Sequence, residues 1–138
     1  MGPNEQLGNA TPNLGLNLAQ VRDLASAASL LSSHTSDLIV LQDANGNFLD
    51  LSPSCRKILG YERHELIGKP AASLLHPETA ARMAERRAAR DEPPVEGGLD
   101  PLQVRRKDGS YVWLEAGYTY LRDEAGEVTR LLAVGRDI

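Results

Sequence analysis

Three histidines, one cysteine and a row of arginines are the residues of this chain whose types could do chemistry. His34, His64 and His76 fall in separate loop and short-helix stretches. They lack the short repeat spacing that brings imidazoles onto one metal ion, so no metal site is expected. Cys55 is the single cysteine, which excludes an intramolecular disulfide and a thiolate cluster. A nucleophile would also need a neighbouring base and an orienting acid, and no local stretch supplies them. No glycine-rich phosphate loop is present. Arg82, Arg86 and Arg90 recur at helical spacing with Arg87 beside them, and Glu85 and Asp91 partly balance them. A solvated helix face is the default reading, and an acidic partner or anionic ligand is the alternative. The chain is therefore expected to have no catalytic constellation of its own, which leaves open that it is one segment of a kinase or other enzyme.

The elements that must position these residues are those of one ordinary domain. The 138 residues are 41% hydrophobic and 25% charged, enough to bury a single core without staples. The net charge of -4 argues against a nucleic-acid binder, which needs a clustered basic surface. The first residues have neither a basic n-region nor an apolar h-region, and no apolar run is long enough to span a bilayer. No membrane contact is expected, and with one cysteine a reducing cytoplasm is the simplest compartment.

Residues 1–15, rich in Gly, Pro and Asn, read as a flexible tail. Residues 16–33 read as an amphipathic helix, in which Val21, Leu24, Ala28 and Leu31 alternate at spacings of three and four. That stripe suits either a helix lying on its own domain or a dimer seam.

Residues 34–138 form the domain proper. Asp37–Gln42 and Phe48–Ser52 are strands joined through Asn45-Gly46, a pair suited to a tight hairpin turn. Ser54–Leu59 reads as a short helix stopped by Gly60, with further short turns over Tyr61–Gly68 and Ser73–His76. A longer helix, Glu78 to Asp91, ends before Pro93-Pro94. Leu99–Arg106, Tyr111–Leu121 and Val128–Asp137 are three strands linked by turns. Hairpin-linked neighbours imply an antiparallel sheet with helices on one face, an α+β domain. The continuous apolar run Leu131-Leu132-Ala133-Val134 implies that the second face is covered too.

In this order the residues resemble a PAS domain. The resemblance rests on Ser52-Pro-Ser-Cys-Arg-Lys-Ile-Leu-Gly-Tyr61, Glu65-Leu-Ile-Gly-Lys69, Leu75-His-Pro77, Arg105-Arg-Lys-Asp-Gly-Ser-Tyr-Val-Trp-Leu-Glu115 and Val134-Gly-Arg-Asp-Ile138. It covers about Ser33 to Ile138 and implies a five-stranded antiparallel sheet with short helices and one longer helix on one face. It also implies a sensing or dimerising module of bacterial signalling proteins, working with histidine kinases or cyclic-dinucleotide enzymes. Asp137 would then be the signal exit. Ser52 departs from the asparagine that many members carry there.

The ligand pocket implied by that fold would draw on Ile39, Leu41, Leu51, Ile58, Leu74, Met83, Val104, Leu114, Tyr118 and Leu132, most of them ordinary core. Met83 and Tyr118 are the most suggestive, as a flexible thioether and a buried phenol. No cofactor is expected. A flavin of the light-sensing kind needs its cysteine just before the long helix, whereas Cys55 lies earlier, and haem is disfavoured because no histidine sits on that helix. A homodimer or kinase contact is expected through Val21, Leu24, Ala28 and Leu31 and through Trp113, Leu131 and Ala133 on the outer sheet face. A scaffold with a filled core and no ligand is the competing function.

Overall fold

The structure, a computed structural model, describes residues 24–32, 35–90 and 99–138. The tail and the first part of the expected helix, including Val21, lie outside the described residues. Helix α1 spans Leu24–Leu31, and strands β1 and β2 span Leu38–Asp43 and Phe48–Leu51. Two short helices follow, α2 (Cys55–Leu59) and α3 (Arg63–Leu66), then a 3-10 turn at Ala71–Leu74. Helix α4 runs from Pro77 to Arg90, and β3 (Leu99–Arg105), β4 (Tyr111–Arg122) and β5 (Val128–Asp137) complete the domain.

The strands form one antiparallel sheet in the order β2-β1-β5-β4-β3. The sequence order of hairpins thus closes by placing β5 beside β1. Both edges are partly covered by the middle segment, which leaves fewer free strand groups for pairing with another sheet. At the β2 edge, Phe48 N–H donates to Lys69 O (2.9 Å) and Gly68 N–H to Phe48 O (2.8 Å). At the β3 edge, His76 N–H donates to Gln103 O (2.8 Å), and Pro101, which has no N–H, is tolerated because the strand is peripheral.

The middle segment is held down by a few polar contacts. Ser52 is fully buried: its Oγ accepts from Ile39 N–H (2.9 Å) and lies 2.6 Å from Ser54 Oγ. The Ser54 hydroxyl donates to Asp37 O (2.6 Å), so two serines fasten the start of β1 to the start of α2. Burial raises the Asp37 carboxyl above the usual carboxylate range, and Arg136 partly offsets this. Helix α2 ends at Gly60 with φ of 84°, in the left-handed region glycine enters at little cost. The β3–β4 turn docks at this helix end. Lys107 N–H donates to Leu59 O (2.9 Å), and Arg106 Nε donates to Ile58 O (3.0 Å).

Candidate functional site

The two faces of the sheet pack differently. On the outer face, Ala27 and Leu31 of α1 close over Ile39, Leu41, Leu121, Leu132 and Val134, all buried. On the inner face, Leu38, Val40, Val104, Val112 and Leu114 meet Leu51 of β2 and Ile58, Leu59, Leu66 and Leu74 from the middle segment. A cavity of about 480 Å³ lies over this inner face, inside the size range of small-molecule sites.

The strand register explains what forms the cavity. Val40 pairs with Ala133 and Ala133 with Tyr118; Leu38 pairs with Gly135 and Gly135 with Ala116. The sheet floor therefore carries Ala116, Ala133 and Gly135 side by side, and small residues leave room above them. Leu74 and Met83 line the other side, with Phe48, Leu102, Val104 and Leu114 around them. Gln42, Leu131 and Tyr120 share the neighbouring rung towards the β1–β2 turn, and all three line the cavity.

Of the pocket residues expected from sequence, Leu74, Met83, Val104, Leu114 and Tyr118 line the cavity. Leu51 and Ile58 belong to the inner core outside its wall. Ile39, Leu41 and Leu132 are corrected: they point to the opposite face, under α1. Leu131 and Ala133, expected on the outer face, line the cavity instead. Side chains alternate along a strand, so one residue of error exchanges the faces. The sequence reading missed Leu38, Val40 and Gln42, which the same parity determines once β1 is in register.

The helix stripe is corrected similarly. Ala27 is buried and Ala28 exposed, while Leu31, expected either in a dimer seam or on its own domain, is buried against its own sheet. The side chain of Leu24 lies outside the described residues. Trp113 does face outward, with 46% of its surface exposed, but it is not among the residues packed against Ala27 and Leu31. Asp137 pairs with Leu114 at the end of β5, and Ile138 N–H donates to Trp113 O (3.2 Å).

The residues with reactive side chains do not converge. Cys55 is buried, its Sγ lies 3.4 Å from Tyr61 O, and burial pushes its thiol above the usual range. A protonated, enclosed thiol is a poor nucleophile. His64 is exposed, His34 lies outside the described residues, and His76 Nδ1 accepts from Glu78 N–H (3.0 Å) while its ring meets Tyr111 edge-on at 4.8 Å. Among the described residues no cluster of His, Cys, Asp or Glu could hold a metal ion. Arg82 donates to Pro101 O (2.7 Å), which ties α4 to β3, and the side chains of Arg86, Arg87 and Arg90 lie outside the described residues. No described helix is long and apolar enough to cross a membrane.

The PAS fold family matches residues 48–135. The chain belongs to that family. Its sequence is 35% identical over 108 residues to the blue light receptor lreA of Aspergillus flavus, covering 78% of this chain and 12% of that protein. Over 59 residues it is 34% identical to the signal transduction histidine-protein kinase AtoS of Escherichia coli, covering 42% of this chain and 10% of the kinase. The chain thus spans only about a tenth of these relatives' length. A solved PAS domain of a Colwellia psychrerythraea protein superposes with a TM-score of 0.70 at 22% identity, covering 84% of this chain and 98% of that one.

A blue-light receptor among the relatives raises the question of a flavin. The cavity does not fit one bonded through cysteine, because Cys55, the chain's single cysteine, is absent from the wall. Nor does the described wall offer a histidine for haem iron. Its only carboxamides are Gln42 and Asn45, few for a flavin's polar ring edge.

Proposed function

We propose that this PAS domain is the sensing segment of a bacterial signalling protein, of the histidine-kinase or cyclic-dinucleotide kind, and that it takes a small molecule into the inner cavity. The single observation behind this reading is the floor of Ala116, Ala133 and Gly135 beneath about 480 Å³ of space. A scaffold would gain stability by filling that space, since unfilled volume costs packing energy. Occupancy would favour one arrangement of sheet and flanking segments, a population shift. Two routes lead out: α1, seated on the outer face, and β5, which ends at Asp137. The domain pairs with a second copy through the exposed side of α1 at Ala28 and the Trp113 patch, and works in the cytoplasm without flavin or haem.

Native mass spectrometry of the freshly purified protein, with its absorbance spectrum, tests this. The expected result is a dimer, colourless above the protein band, with a co-purified small molecule on a fraction of the chains. A monomer with no adduct, whose stability is unmoved by any compound of a small-molecule library, would contradict it.

The exposed Trp113, at 46% of its surface, favours a second reading, a scaffold that docks a kinase. Under that reading a variant with the cavity filled keeps full signalling output.

A further inference from the structure

The cavity wall is polar at one end only, and this bears on the class of molecule it takes. At the far end, the rung Leu38–Gly135–Ala116 offers only apolar atoms. Two rungs on, Tyr118 stands beside Ala133, and at the next inward-facing rung Gln42 and Tyr120 flank Leu131. The step from Leu38 to Gln42 spans roughly 13 Å along the strand. Gln42 and Tyr120 are half-buried and Tyr118 is buried, so the polar end faces the more open side.

Charge is withheld from this wall. Among the described lining residues only Asp43 and Arg130 have side chains of charged type, and they stand opposite each other in the register of β1 and β5. Arg130 also pairs with Leu121, whose side chain packs in the outer cluster, so this rung is turned to the other face. Asp43 Oδ1 is taken by the turn, accepting from Asn45 N–H (2.9 Å) and Asn47 N–H (3.0 Å).

From this we infer that the ligand is an uncharged molecule with an apolar body and one hydroxyl or carbonyl group, seated with that group at Gln42, Tyr118 and Tyr120. The inference rests on the cavity being a ligand site. A carboxamide and two phenols donate and accept, so they satisfy either group. A carboxylate would lose its hydration without a cation to replace it.

The test compares 1-octanol with octanoate at neutral pH. The chain has two methionines, Met1 and Met83, so the methyl signal of Met83 in a 13C-methyl-methionine spectrum reports cavity occupancy. The expected result is saturable movement of the Met83 methyl by octanol, with octanoate binding about tenfold or more weaker. Gln42→Leu should weaken octanol about fivefold, the worth of one ordinary hydrogen bond. Tyr118→Phe, which keeps the ring, should act alike, and each variant's unliganded spectrum shows whether it is folded. Octanoate binding as tightly as octanol would overturn the uncharged class and leave the cavity reading standing. Octanol affinity unchanged in both folded variants would overturn the placement of the polar end. A Met83 methyl unmoved by either probe would overturn the inference and the cavity reading together.

Discussion

The two faces of one sheet have been given opposite treatments. The outer face places Ile39, Leu41, Leu132 and Val134 under α1 and buries them almost completely. The inner face sets Ala116, Ala133 and Gly135 under the middle helices and keeps a cavity. Adjacent residues of β5 supply both: Leu132 and Val134 outward, Leu131 and Ala133 inward. The pleat thus lets one strand serve stability with one set of side chains and binding with the other.

Substitutions that break this contrast should have graded effects. The largest is expected on the filled face: Leu132→Ala should cost about 3 kcal/mol in urea unfolding, by lost burial plus the void it leaves. Ser52→Ala comes next. It removes the acceptor of the buried Ile39 N–H, and leaving a buried donor unmet should cost about 2 kcal/mol in the same assay. Ala133→Val, one residue from Leu132 but over the cavity, should change stability by less than about 1 kcal/mol, because the added methyls enter open space. A cost near that of Leu132→Ala would erase the contrast.

The smallest effect is expected at the exposed Lys107–Glu65 pair, 2.7 Å apart. The Lys107 ammonium lowers the Glu65 carboxyl below its usual range, and Glu65 raises Lys107. The pair's contribution is therefore complete at neutral pH. It fades as acid protonates Glu65 below the ordinary glutamate range, and as alkali removes the Lys107 proton above the ordinary lysine range. Melting temperatures of wild type and Glu65→Gln should differ slightly at pH 7 and converge at acid pH.

The element order, the hairpins and the family were legible because they rest on turn chemistry and ordered motifs: Asn45-Gly46, Gly60, Lys107-Asp-Gly-Ser110 and the strand that carries Trp113. What was not legible was which face each strand residue takes. Period-two alternation gives two parities, and a strand apolar on both sides, such as Leu131-Leu132-Ala133-Val134, does not choose between them. The choice is made by pairing across the sheet, where Leu41 meets Leu132 and Val40 meets Ala133. In the same way, Ala27 and Ala28 are one chemistry at adjacent positions, and only docking on Leu132 and Val134 selects Ala27. Ser52 was legible as a strand end and as a departure from the family's asparagine, but not as a buried acceptor, because its partner Ile39 N–H lies thirteen residues earlier in the chain.

The contrast between the faces is tested most directly by methyl NMR of the wild-type protein under xenon pressure, since the apolar end of a cavity takes up xenon without any change in sequence. The methyls of Met83, Val104 and Leu114 should move saturably while those of Ile39, Leu132 and Val134 stay in place. Equal movement on both faces, or none on the inner one, would contradict the account.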